Sequence, residues 1–481
     1  MDELKDEVIC SNCVGEPYLK AEIGADGVEG VCRYCGHHGK AFTLEEMADR
    51  IAEAFSQHYQ RTPEEPDSYQ RSAMNDPESP YDWYREGEET SVAIMNAAEI
   101  PEAAASDIQE LLDERHSDFE AATMGEETEF SDDAHYEEIM PDDEEWREGW
   151  RNFERSIKTE ARFFSQTAAE QLAALFDDID KLRTRSGRPL LVEAGPATDL
   201  THLFRARVFQ SDAKLEAALM RPDVELAAPP SRHAAVGRMN AKGISTFYGA
   251  TKAEIALAEV RPPVGAQVAV ARFNISRSLK LLDLNALEEI HVSGSIFDPK
   301  YARALGRMMF LRSLCRRIAR PVMPDDQDTE YLPTQAVADY LATQSETPLD
   351  GIMFPSVQAD GEGHNVVLFH KASRCVEIEI PADTEMSART GQMYEEGWER
   401  EYVVVEEVPE KLPVKPLADT GPLFFQGPAR RILPWGESDE RDPALEVDLK
   451  SIRVHVITAV TFAASEHSVT RYRWAKTVSP M

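Results

Sequence analysis

At 481 residues, with 42% hydrophobic and 29% charged side chains, the chain is too long for one ordinary domain and has apolar material for more than one core. Its formal net charge of −36 repels a phosphate backbone, so nucleic acid is disfavoured as a partner. No apolar run reaches the length that spans a bilayer, and the acidic start MDELKDEVIC lacks the basic and apolar regions of a signal peptide. A cytoplasmic protein without membrane contact is therefore expected.

The N-terminal forty residues carry two CxxC pairs, Cys10/Cys13 and Cys32/Cys35, with eighteen residues between them. Each pair makes a tight knuckle that aims two thiolates at one tetrahedral ion, and this spacing is that of a zinc ribbon. A redox dithiol is the weaker reading, because no βαβ pattern surrounds either pair. Short strands are expected at residues 18–23 and 28–31. A closed site of four thiolates is structural rather than catalytic. The remaining cysteines, Cys315 and Cys375, are scattered, so the six do not form a secreted disulfide framework.

Thr43 with Glu46 has capping-box spacing and opens a helix through residue 58, with Leu44, Met47, Ile51 and Phe55 on one face. Further helices are expected at 91–98, 101–112, 146–164 and 167–183. The acidic run 124–145 between them reads as a solvated face or loop. Ser186-Gly-Arg-Pro189 reads as a linker.

A strand over 201–208 places Arg205 and Arg207 on one face and Ala206 on the other. The segment 237–262 reads as a polar loop with Arg238 and Asn240, a strand at 244–248 ending in Tyr248, and a short helix capped by Thr251 and Glu254 and stopped by Pro262. Glu254 is accounted for by capping. Glu259 shares the apolar face of Ile255 and Ala256, and needs either a buried salt bridge or a functional reason. Strands follow at 268–274 and 278–283, and helices at 298–317 and 335–342. The segment around Phe354-Pro355-Ser356, then Gly363 and Asn365-Val-Val-Leu-Phe369, reads as strand, serine, glycine, strand. Ser356 is not in a GxSxG elbow, so a ligand-binding hydroxyl is more economical than a hydrolase nucleophile. The last hundred residues offer a hairpin from 449–462 and 469–474, expected to extend the preceding sheet.

The order Arg205, Arg238, Tyr248, Glu259 and Ser356 resembles the RES domain, a bacterial family named for its Arg, Glu and Ser. The acidic helical region resembles the HEPN-related domain found ahead of some RES domains. Its ribonuclease motif is not carried over, because the nearby Arg33-to-His38 match lies inside the ribbon. The resemblance implies an α+β protein: a mixed-sheet, ADP-ribosyltransferase-like RES domain at 198–381, preceded by a zinc ribbon at 1–41 and a helical HEPN-like domain at 42–190. A C-terminal extension at 382–481 follows.

The resemblance further implies an enzyme that cleaves the nicotinamide–ribose bond of NAD+, as a glycohydrolase or phosphorylase, and acts as a toxin or defence effector. A protein ADP-ribosyltransferase and a non-catalytic nucleotide sensor are the alternatives. Catalysis is assigned to Glu259, Arg205, Tyr248 and Ser356, and NAD+ contacts to Arg205, Arg238, Tyr248 and Ser356. Zinc is expected as a structural ion on Cys10, Cys13, Cys32 and Cys35. The expected partners are NAD+, an antitoxin or regulatory protein, and a second copy of the chain in a homo-oligomer.

Overall fold

The computed structural model describes residues 2–76, 78–117, 127–320, 322–356, 363–395, 397–409, 439–461 and 464–474. The chain forms two compact units: Met1–Leu190 with Leu284–Pro333, and Leu191–Asp283 with Thr334–Met481. The architecture is mixed α+β.

In the first unit, His38–Thr43 is the middle strand of a small antiparallel sheet between Val8–Cys10 and Val28–Val31. The strand expected at 18–23 is instead a helix, Pro17–Asp26. Proline suits the first helical position, and the Glu16 carboxylate accepts from the Leu19 N–H at 2.7 Å. Leu19 and Ile23, four residues apart, are both fully buried, which is the helical period.

The capping box forms as read. The Glu46 N–H donates to Thr43 Oγ1 at 3.1 Å and the Thr43 N–H to Glu46 Oε2 at 2.8 Å. The helix Leu44–His58 buries Leu44, Met47, Ile51 and Phe55. These residues share one core with Ile9, Val14, Leu19 and Ile23, so ribbon and helices are not separately packed. Helices at Thr90–Ala98 and Glu102–His116 follow the expected pattern, whereas Glu144–Arg155 gives way to a π-helical turn, Ser156–Glu160, and ends short of the expected residue 164. The helix at Gln166–Phe176 stops seven residues short of expectation.

Leu284–Pro333 folds with this first unit. Phe297 enters its core, Trp146 Nε1 donates to the Arg303 carbonyl at 3.3 Å, and Arg307 Nε donates to the Leu175 carbonyl at 3.0 Å. Ile290–His291 pairs with Arg183–Thr184. The helix of this segment is Tyr301–Ala319.

The second unit is built on eight strands: β1 Leu191–Ala194, β2 His202–Phe209, β3 Phe247–Ala250, β4 Gln267–Ile275, β5 Leu279–Asp283, β6 Gly351–Pro355, β7 His364–Leu368 and β8 Leu445–Val456. Their order is β8-β4-β2-β3-β7-β6-β5-β1, and only β5 and β6 run parallel. A parallel pair needs a long crossover, and here that crossover holds Leu284–Pro333. One sheet face packs Leu203, Phe247, Phe273 and Leu368; the other packs Ala206, Val268 and Val270 against Ile255 and Ala256 of helix α1, Ala253–Glu259.

Three expectations are corrected. β3 starts at Phe247, three residues later than read, and continues through Gly249, which closes against Phe247 and Phe204 where a Cβ would not fit. Thr251 does not cap α1. The cap position is Lys252, without a side-chain bond, and Thr251 Oγ1 instead accepts from the His364 N–H at 2.9 Å. The hairpin from 449–462 and 469–474 does not form: β8 is one strand on β4, and residues 469–474 carry no strand. A hairpin does occur in the extension, at Gln392–Tyr394 with Gly397–Glu399, enclosed by Glu385–Arg389 with Val403–Glu407. Among the described residues no helix is long and apolar enough to cross a membrane.

Candidate functional site

β2 and β3 pair at a single position, Phe204 with Ala250. Where they part, a cleft of about 120 Å³ opens, lined by Arg205, Tyr248, Gly249, Ala256, Glu259, Phe354 and Asn365 together with flanking apolar residues. Three sequence-nominated residues, Arg205, Tyr248 and Glu259, therefore meet at one cleft from three different elements. Arg238 and Ser356 do not line it. Ser356 lies two residues beyond Phe354 at the end of β6, next to residues 357–362, which are outside the described set.

Glu259 is exposed, not buried. It is the last residue of α1, so the helix face that carries Ile255 and Ala256 into the core delivers Glu259 to the cleft rim. Arg261 at φ 45°, followed by Pro262 and Pro263, ends the helix immediately after it. The Glu259 carboxylate is not in a buried salt bridge. Its Oε2 accepts from Asn365 Nδ2 at 3.1 Å.

Asn365, on β7, is the functional candidate that sequence reasoning missed. Read alone, it is one polar residue opening an apolar strand. Only the register that sets β7 beside β3 brings it to Glu259.

Arg205 and Arg207 share a face of β2, as the period-two reading requires. Arg205 stands across from Ala271, on the face of Leu203 and Phe273. This is the sheet face opposite α1 and Glu259. The Arg205 guanidinium stacks over the Phe247 ring at 5.0 Å, and its Nη1 is buried without a hydrogen-bond partner. Burial, reinforced by the neighbouring Arg207 charge, pushes Arg205 down to about 10. A guanidinium with one buried, open donor leaves a positive field at the split between the strands.

Tyr248 is half-buried, with its hydroxyl committed to the loop before β3. It donates to Asn240 Oδ1 and receives the Met239 N–H. The same loop is held from behind by Gln335 Nε2, which donates to the Gly237 carbonyl at 2.8 Å and the Asn240 carbonyl at 3.1 Å. Thr334 Oγ1 donates to the Arg238 carbonyl.

In the first unit, the Sγ atoms of Cys10, Cys13, Cys32 and Cys35 all lie within 4.8 Å of one another. Cys10 and Cys35 are 3.5 Å apart at sulfur, and Cys13 and Cys32 are 3.8 Å apart. Four sulfurs about 2.3 Å from a tetrahedral ion would stand roughly 3.8 Å from each other. The donor set and its spacing thus fit a metal. Burial pushes the Cys32 thiol up, but backbone N–H groups of Cys10, Cys35 and Tyr34 outweigh it and bring it down to about 7.

Residues 202–389 match the RES domain model, and residues 25–171 match HEPN/RES N-terminal domain 1. The chain carries a RES domain behind a HEPN/RES N-terminal domain, which places it with NAD+-acting enzymes in general. No curated protein and no solved structure matches the chain.

Proposed function

We propose that the second unit cleaves the nicotinamide–ribose bond of NAD+. What supports this reading is the convergence of Arg205, Tyr248 and Glu259 on one cleft of a RES domain. The C1′–N bond breaks with its electron pair moving to the nicotinamide nitrogen, neutralising the pyridinium, while positive charge develops on the ribose. Glu259 stabilises that charge and orients the incoming oxygen nucleophile, water or phosphate, which forms the new bond at C1′; the proton of an attacking water passes to the Glu259 carboxylate and from there to solvent. The Tyr248 ring gives a flat, pinned surface for the departing ring.

Arg205 draws the anionic pyrophosphate toward the strand split through its uncompensated charge. Arg238 and Ser356 hold ligand from outside the cleft. The cleft, about 120 Å³, is smaller than the roughly 300–1,000 Å³ that encloses whole drug-sized ligands. One ring and the edge of its sugar fit, and the rest of the dinucleotide extends toward these outer residues.

The four cysteines hold a structural zinc ion, and the protein acts in the cytoplasm as a toxin or defence effector, with its first unit as regulator. Product analysis tests the reaction. NAD+ incubated with the protein yields nicotinamide with ADP-ribose for a glycohydrolase, or with phosphorylated ADP-ribose when phosphate is supplied. Label retained on protein indicates ADP-ribosyl transfer. Binding without turnover indicates a sensor and overturns the reading.

A further inference from the structure

Asn365 is 4% exposed, and its two amide atoms have different fates. Nδ2 donates to Glu259 Oε2 at 3.1 Å, whereas Oδ1 is buried and has no hydrogen-bond partner. The assignment of the two atoms follows from chemistry: an ionised carboxylate only accepts, so the atom facing it must be the N–H₂. A buried amide oxygen left unpaired loses its hydration without a compensating hydrogen bond. The residues across from Asn365 in the sheet, Ala250 and Phe354, have no side-chain donor to offer. Asn365 itself lines the cleft, so the side chain that carries the orphaned Oδ1 borders the space a ligand would enter.

We propose that Asn365 reads the substrate and positions Glu259 at the same time: Nδ2 fixes the carboxylate, and Oδ1 accepts a hydrogen bond from a hydroxyl of the nicotinamide-side ribose. This rests on the NAD+-cleavage reading above. Two acceptors side by side, the Glu259 carboxylate and the Asn365 carbonyl, suit the two adjacent O–H donors of a ribose cis-diol. Filling the orphaned acceptor only when the sugar is seated makes the bond a sensor of correct placement. A site whose polar group is left unpaired by an analogue rejects that analogue strongly.

The test measures kcat and KM for NAD+ and for two analogues, each lacking one hydroxyl of the nicotinamide-side ribose. Wild type, Asn365→Ala and Asn365→Asp are compared. Wild type should lose at least tenfold in kcat/KM on one analogue. Asn365→Ala should lose a similar factor on NAD+ itself and no longer distinguish that analogue from NAD+. Asn365→Asp keeps the shape and an acceptor, so selectivity should persist. Its second carboxylate beside Glu259 should move the acid limb of the pH–rate profile to higher pH, because like charges resist joint ionisation. Wild-type turnover with selectivity unchanged in Asn365→Ala overturns the role of Asn365 alone. A wild type that consumes no NAD+ overturns the underlying reading as well.

Discussion

The Tyr248 hydroxyl donates to Asn240 Oδ1 at 2.7 Å, tying the floor of the cleft to the loop that carries Arg238. The bond commits the hydroxyl to architecture and leaves the ring to the ligand. Tyr248→Phe keeps the ring and should cost about 1 kcal/mol of stability through the lost bonds. It should raise KM more than it lowers kcat, as the loop loosens. Tyr248→Ala removes the ring too and should depress both constants. Steady-state kinetics with thermal melts separate the two effects.

Gly237 is the close-approach point of that loop. A Cβ there would fall 2.4 Å from Asn240 Oδ1 and 2.6 Å from the Tyr248 hydroxyl oxygen. Both are polar atoms already bonded to each other, so neither can withdraw cheaply. Gly237→Ala should therefore reproduce the KM defect of Tyr248→Phe while leaving the ring intact. A melting curve and kinetics on the same preparation check this.

The two glutamates of α1 separate structure from chemistry, though not as capping alone would suggest. Glu254 is exposed and no capping box holds it, so Glu254→Ala should stay within about 0.5 kcal/mol of wild type. Thr251→Ala should cost roughly 0.5–1.5 kcal/mol, because Thr251 Oγ1 receives the His364 N–H at the start of β7. Urea denaturation distinguishes the pair.

His58 should make the first unit acid-sensitive. It is buried at the end of Leu44–His58, stacked 5.8 Å from Tyr301, and its Nε2 has no hydrogen-bond partner. Burial holds its pKa below the ordinary 6.5, so the folded state takes up a proton less readily than the unfolded one. Stability from this source is complete above pH 6.5 and declines as pH falls through it toward the lower folded value. His58→Phe should flatten the decline between neutral pH and pH 5.

Removing the first unit requires more than a cut near residue 190. Leu284–Pro333 belongs to that unit, and Phe297, Phe310, Leu311 and Leu314 are buried. A deletion of residues 1–190 alone should aggregate. Replacing 284–333 by a flexible linker as well should give soluble protein, and its expression should be more toxic than the full chain if the first unit restrains the second. Equal toxicity at equal soluble level contradicts that regulation.

Local patterns were legible wherever chemistry and spacing coincide. The cysteine pairs, the Thr43–Glu46 box and the shared face of Arg205 and Arg207 needed no long-range information. The Tyr18–Ile23 stretch misled because its β-compatible residues follow a proline at a helix start. Thr251 has capping spacing, but its hydroxyl found a better partner 113 residues away, in the His364 backbone. Asn365 and the opposite-face origin of Arg205 depend on strand register, which no single segment encodes. The placement of Leu284–Pro333 was hidden for the same reason: its apolar faces fit a core built by residues far upstream.

The central claim is that Glu259 drives NAD+ cleavage in this cleft. Its most direct test is the rate of NAD+ loss in purified wild type, Glu259→Ala and Glu254→Ala, with and without phosphate. Rapid loss in wild type and Glu254→Ala, with at least a hundredfold slower loss in Glu259→Ala at unchanged melting temperature, is the expected result. NAD+ loss that survives Glu259→Ala, or none in wild type under either condition, contradicts it.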